Sequence, residues 1–177
     1  MVALAGPFIV TAALLGAGGV LKIHRPATAQ RAMRQMGLPS SAALVRTGAA
    51  AEVAVAAGAL LLPGRLFALL VAVSYFAFAA FVLAAIRRRV PLASCGCFGI
   101  DDTPPTSVHL AINLSAALVA GAVAMGSGEG LRAITSMEGS TLLRVVFVVL
   151  TAASAWFAYV ALTLLPRVLG AGARSSA

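Results

Sequence analysis

Both cysteines of the chain lie within the short stretch ASCGCFG, which follows three consecutive arginines. The motif that could carry chemistry consists of Cys95, Gly96, Cys97, Phe98 and Gly99. Two thiols separated by one residue can close a disulfide, but the small ring strains the bond and makes it easy to reduce. Because a cross-link over one residue removes almost no chain entropy, such a bond suits exchange chemistry better than structural stapling.

Three interpretations of the thiols follow from the residues alone. We favour a redox-active pair, and keep a soft-metal site and a plain structural turn as alternatives. The metal site is weakened because His109 is the only nearby histidine and zinc takes four ligands. The arginines at 87–89 favour the thiolate form, whereas the aspartates at 101–102 oppose it. Because the sequence offers too few nearby ligands for a zinc site, we predict no metal.

The composition indicates what kind of molecule positions these thiols. The chain has 61% hydrophobic and 10% charged residues, with a mean hydropathy of +1.01, whereas soluble domains have about 25% charged residues. These values predict an all-α, polytopic integral membrane protein with one membrane domain over residues 1–177. The net charge of +8 comes from arginines at the ends of apolar runs, where they meet anionic lipid headgroups. We therefore expect the lipid bilayer, and not nucleic acid, as the partner of this charge.

About five apolar runs are long enough to cross a bilayer core of roughly 30 Å. The predicted spans are about 3–21, 40–62, 66–86, 106–125 and 142–165. A short basic helix at about 26–37 could lie on the headgroups or fold as a cap over a nearby site. The cysteines lie in the loop at 90–105, between the third and fourth spans. No connection is long enough for a soluble domain, so a soluble partner has to come to the membrane.

Glu52 lies near the middle of the second span. A carboxylate at that depth costs about 2.5–3.5 kcal/mol, so it should face the bundle and find a partner. His109 and Asn113, which share one face of the fourth span, are candidates, as is Arg46 on the same helix as Glu52. Glu52 then either holds helices together by a hydrogen bond or relays protons near the thiols.

The CGCFG loop between the third and fourth spans resembles the signature of the MauE family of membrane proteins of methylamine utilisation. Lys22 at the end of the first span, a carboxylate in the second and Asn113 in the fourth fit the same pattern. That family is similar in outline to the DoxX and vitamin-K-epoxide-reductase-like bundles. The resemblance thus implies that the first four spans form such a four-helix bundle.

The resemblance also implies a function, namely thiol–disulfide handling during maturation of exported proteins, beside a thioredoxin-like partner that is soluble or membrane-anchored. In methylamine utilisation the implied client is the disulfide-rich small subunit of methylamine dehydrogenase. The cysteine motif would then be catalytic as a thiol–disulfide oxidoreductase, with Glu52, His109 and Asn113 in support. The alternative is a non-enzymatic accessory subunit that packs against other subunits of a respiratory or transport complex, its cysteines being structural.

No cofactor is firmly predicted. Three aromatic residues in the spans, Tyr75, Trp156 and Tyr159, could line a quinone pocket, although such residues are more often used for packing. The bundles of similar outline that are coupled to quinones use a CxxC motif and a second cysteine pair. This chain has CxC and no second pair, which counts against quinone reduction.

The abundance of arginine and alanine is typical of a GC-rich bacterial genome, so we expect a multi-pass protein of the bacterial inner membrane. Five spans would place ten of the basic residues on the side of the cysteine loop and three on the other. The positive-inside rule then predicts a cytoplasmic cysteine loop. The family resemblance implies an extracytoplasmic one, and we favour that side.

Overall fold

The structure is a computed structural model that describes residues 4–62, 64–90, 105–126 and 141–163. This part of the chain is entirely helical. The helices are α1 (Ala5–His24), α2 (Ala27–Gln35), α3 (Ala42–Leu61), α4 (Arg65–Arg87), α5 (Ser107–Met125) and α6 (Thr141–Thr163). Within the described residues, five helices are long and apolar enough to cross a membrane, all except α2. The prediction of an all-α membrane bundle with about five spans is confirmed.

The ends of the helices follow local chemistry. The Ser41 hydroxyl caps α3 by accepting a hydrogen bond from the Leu44 N–H at 3.1 Å, which satisfies one of the free donors at a helix start. Gly64 has a φ of +153° between α3 and α4, a backbone conformation that favours glycine. Gly37, with a φ of +74°, follows α2 in the same way.

The bundle is built from two closely packed antiparallel pairs, α1 with α3 and α4 with α5. A shared core contains Phe8 and Leu15 from α1 together with Val71 and Tyr75 from α4, and alanines fill the space between them. Since lipid provides no hydrophobic force between helices, small residues that allow close approach determine which helices pair. The last helix, α6, packs mainly against α1.

One end of the bundle matters for function, and we call it the loop end because residues 91–104 join α4 to α5 there. The side chain of Arg65 at the start of α4 donates to the carbonyl of Gly126 after α5, at 2.7 Å, so this contact marks the opposite end. At the loop end, Arg46 of α3 donates to the carbonyl of Ile23 of α1 at 3.3 Å.

The short helix α2 packs onto the loop end. Its buried face contains Thr28, Ala29 and Ala32, and Met36 just after it is buried against Ala85 and neighbours near the end of α4. The arginines of α2 are exposed. The helix therefore packs on part of the loop end, and both interpretations, a cap over a nearby site and a helix lying on the headgroups, stay predictions.

Candidate functional site

The predicted catalytic residues Cys95, Gly96, Cys97, Phe98 and Gly99 lie outside the described residues. The structure describes the chain up to Val90, after α4, and again from Pro105, before α5. Both positions are at the loop end. The redox role of the motif stays a prediction, and the candidate site is built here from the side chains beneath that end.

The central feature is a buried ion pair between Lys22 of α1 and Glu52 of α3. The lysine Nζ lies 2.7 Å from Glu52 Oε1, in hydrogen-bond geometry, and 2.5 Å from Oε2. The two side chains are only 8% and 15% exposed. Opposite charges in contact inside a bundle are the arrangement that makes charge tolerable at membrane depth.

The prediction that Glu52 pairs with His109, Asn113 or Arg46 was therefore wrong. Each of these side chains forms its hydrogen bond with another group. Arg46 donates to the carbonyl of Ile23. His109 is buried with Nδ1 3.0 Å from the Thr106 hydroxyl. Asn113 donates to the carbonyl of His109 at 2.7 Å, so none of these three side chains bonds to Glu52 in the part of the chain that the structure describes.

Gly19 explains why Lys22 reaches Glu52. A Cβ at Gly19 would lie 2.8 Å from the Ala49 carbonyl oxygen and 2.8 Å from a Val53 methyl group. The missing side chain lets α1 and α3 approach at the level of Glu52, and Lys22 follows almost one turn later on α1. The available signal was that Lys22 is the only lysine in the chain. Its place at the end of a span made it resemble a headgroup anchor.

The aromatic residues of α4 complete the surroundings of the lysine. Its Nζ lies 4.8 Å from the ring centroid of Phe78, a distance at which a cation is attracted to the ring face. Tyr75 packs edge-on against Phe78, with centroids 5.9 Å apart and an angle of 81° between the rings. The Tyr75 hydroxyl donates to the carbonyl of Thr11 at 2.8 Å. Lys22 is thus held between α1, α3 and α4.

A cavity of about 580 Å³ opens beside the ion pair, and α1, α3, α4, α5 and α6 all contribute to its wall. Lys22, Glu52 and Asn113 line it together, so the structure brings two predicted supporting residues to one cavity; His109 is not part of its wall. Of the aromatic residues considered for a quinone pocket, Tyr75 lines this cavity, whereas Trp156 is 63% exposed. The Tyr159 side chain lies outside the described residues.

The chemistry of this arrangement is that of a paired acid and base beside an apolar space. Within the described ranges, no three His, Cys, Asp or Glu side chains converge as a metal site would require. What the described site offers a ligand is therefore hydrogen bonds from the ion pair, the Asn113 amide and the Ser115 hydroxyl.

Comparison with known proteins adds one finding. The family described as methylamine utilisation protein MauE matches residues 1–126, which cover α1 to α5 and the cysteine motif. No curated protein and no solved structure matches the chain. The last helix, which contributes to the cavity wall, lies beyond the matched residues.

Proposed function

The chain belongs to the MauE family, and we propose that it is a thiol–disulfide exchange protein of the bacterial inner membrane. In this proposal Cys95 and Cys97 pass electrons or disulfide bonds to a thioredoxin-like partner during maturation of exported proteins. The description of the family points to a client protein in methylamine utilisation.

The observation that supports this proposal is where the described chain leaves and re-enters the bundle on either side of the motif. The chain leaves the described bundle at Val90 and re-enters it at Pro105, both at the loop end. Beneath that end lies the Lys22–Glu52 ion pair, and α2 packs beside the end of α4. The arginines at 87–89 are exposed there, and cations near a cysteine favour the reactive thiolate. Membership of the family and the position of these flanking residues together support a thiol site at the membrane edge.

The proposed reaction is a balanced exchange that needs no other oxidant. A thiolate of the reduced pair attacks the partner's disulfide, which forms a mixed disulfide and releases one partner thiolate. The second cysteine then attacks the mixed disulfide. The pair is left oxidised, and the partner leaves as a dithiol that has gained two electrons and two protons. The reverse sequence delivers a disulfide to the partner.

The first test replaces each cysteine. We expect Cys95→Ser and Cys97→Ser each to reduce exchange with a thioredoxin to the uncatalysed rate, because one thiol alone cannot resolve the mixed disulfide. The measurement uses the purified full chain in detergent, with alkylation of free thiols followed by gel shift. Ser94→Ala, in the same stretch, is the matched control and should exchange at the wild-type rate.

Membrane levels of the variants separate chemistry from folding. The proposal requires that both cysteine variants accumulate to wild-type levels while exchange is lost. Full exchange by either variant would contradict it and would make the cysteines structural, as in an accessory subunit of a larger membrane complex.

A further inference from the structure

The cavity beside the ion pair has the size of a ligand site. Its volume of about 580 Å³ falls within the range of about 300–1,000 Å³ that is usual for small-molecule pockets. Most of its wall is aliphatic or aromatic, including Val10, Leu14, Ile112 and Leu150. Such a wall fits the hydrocarbon part of a molecule dissolved in the membrane.

Three of the hydroxyl groups in this wall are bonded within their own helices. Thr11 donates to the carbonyl of Pro7, Thr151 to that of Phe147, and Ser154 to that of Leu150, each at 2.8 Å. Each hydroxyl proton is therefore used within its own helix. The other polar side chains among the described lining residues are Tyr75, whose hydroxyl donates to the carbonyl of Thr11, and Ser115, Lys22, Glu52 and Asn113. The charged and amide groups among them are Lys22, Glu52 and Asn113.

The charges at this polar end constrain the ligand. Lys22 and Glu52 are the charged side chains among the described lining residues, and together they have no net charge. A charged ligand would bring an uncompensated charge into a low-dielectric space, which is strongly unfavourable. The head group of the ligand should therefore be neutral.

Hydrogen bonding narrows the chemistry further. Among the described residues, Glu52 Oε2 is buried and receives no hydrogen bond of good geometry, although it contacts the lysine. The Asn113 side chain bonds only the His109 carbonyl in that same part of the chain, so its oxygen is an available acceptor. A hydroxyl head group can donate to either of these oxygens, whereas the Lys22 ammonium can donate to a hydroxyl or to a carbonyl oxygen.

We propose that this cavity binds a neutral, membrane-soluble molecule with a hydrocarbon body and a head group of hydroxyl or carbonyl oxygens placed at Lys22, Glu52 and Asn113. Two sources share this chemistry, namely neutral lipids with a free hydroxyl and quinones or quinols. The site is independent of the thiols in this proposal, so it can be tested without exchange activity.

The test uses the full chain in lipid nanodiscs with a diazirine-bearing hexadecanol as the probe. We expect light-induced labelling of cavity-lining peptides, measured by mass spectrometry. Unlabelled hexadecanol or a decyl-substituted benzoquinone should compete at least about tenfold better than hexadecane or hexadecanoate, since only the first two have a neutral head that hydrogen-bonds. Better competition by the quinone identifies a quinone source, and equal or better competition by the alcohol identifies a neutral lipid.

Variants locate the site. Ala111 lines the cavity and is exposed within it, so Ala111→Trp should occupy the space and abolish labelling. Leu118 is 74% exposed on the same helix and does not line the cavity, so Leu118→Trp is the matched control and should label normally. Asn113→Leu should weaken hexadecanol binding about tenfold, because a hydrogen bond at the head group is lost.

The proposal is overturned if hexadecane competes as well as hexadecanol, if hexadecanoate competes better, or if Ala111→Trp and Leu118→Trp label alike. A chain with Cys95→Ser and Cys97→Ser combined should bind the probe with unchanged affinity. Loss of thiol exchange with retained labelling would therefore separate this proposal from the proposed function.

Discussion

At the residue scale, Lys22 and Glu52 determine the character of the bundle interior. Both charges are almost fully buried, and Phe78 gives the lysine a further favourable contact at 4.8 Å. Removing one member of such a pair leaves the other as an uncompensated buried charge, whereas removing both leaves none. The pair therefore behaves as a unit, and its effects should be strongly non-additive.

We predict that Lys22→Met and Glu52→Met each lower the free energy of unfolding by about 3–5 kcal/mol, and that the double variant regains most of this loss. The measurement is denaturant unfolding of the purified chain in detergent, arranged as a double-mutant cycle. Arg34→Met, at an exposed position on α2, is the control and should change stability by less than about 0.5 kcal/mol. A double variant as unstable as the sum of the two single variants would contradict a coupled pair.

The same double variant tests the proton-relay hypothesis for Glu52. If the double variant is as stable as the wild type and exchanges thiols at the same rate, the ion pair serves folding and the cavity and does not relay protons. Slower exchange at equal stability would assign it to proton transfer. Glu52→Gln alone does not separate these roles, because this change leaves the Lys22 charge unpaired.

The sequence predicted the buried carboxylate but not its partner. Glu52 could be identified because a charge within an apolar run is conspicuous and has to be compensated. Its partner depends on which helix packs against α3 and at what height, and no residue near Glu52 in the sequence contains that information. From the sequence, Lys22 could be placed only at the end of the first span, and its side chain is buried against Glu52.

At the scale of helices, close approach of α1 and α3 is what brings the two charges together. We predict that Gly19→Ala lowers the free energy of unfolding by about 1–3 kcal/mol, because the added methyl group would overlap the Ala49 carbonyl oxygen and Val53. The measurement is thermal or denaturant unfolding in detergent. Gly48→Ala on α3 is the matched control, since no atom lies within 4 Å of its added Cβ.

The control should be neutral or slightly stabilising, because alanine favours a helix over glycine by about 1 kcal/mol. Equal effects of the two substitutions would show that Gly19 matters only for helix propensity and not for close packing. A larger residue at Gly19 should also separate Lys22 from Glu52, so its effect should be smaller in a chain that already lacks both charges.

The helices themselves could be predicted from the sequence because apolar runs of this length are typical of membrane-spanning helices. Their pairing could not, since each spanning helix is apolar on nearly all sides and shows no preferred face. A cap formed by α2 was one of two alternatives; Met36 packs against α4, and the choice between the two stays a prediction. The cysteine motif lies outside the described residues, so its geometry stays a prediction from the sequence.

At the scale of the whole molecule, the cavity is a property of the assembled bundle. Five helices contribute to its wall, and the last of them lies beyond the residues that match the family. Leu150 and Phe147 of α6 face the same space as Val10 of α1 and Val119 of α5. The cavity could not be predicted from any single stretch of the sequence, because its lining consists of ordinary apolar residues from distant parts of the chain.

The structure also changes the charge count that bears on orientation. Lys22 is buried in an ion pair, so it no longer counts among the basic residues available to headgroups at the loop end. The exposed arginines of α2 and those at 87–89 remain there, and the positive-inside rule still opposes the extracytoplasmic side that the proposed function requires. We nevertheless favour the extracytoplasmic side, because the proposed exchange with exported proteins requires it. A measurement of the side that the loop end faces is therefore also a test of the proposed function.

We predict that the loop end faces the extracytoplasmic side. In a chain with Cys95→Ser and Cys97→Ser, a single Arg34→Cys reporter on α2 should react with a membrane-impermeant maleimide in intact cells. Leu62→Cys, which is at the opposite end and 52% exposed in the native residue, should react only after permeabilisation. The reverse pattern would place the cysteine motif in the cytoplasm, where a reducing environment keeps thiols reduced. Delivery of disulfides to exported proteins would then be excluded, because the motif and its clients would lie on opposite sides of the membrane.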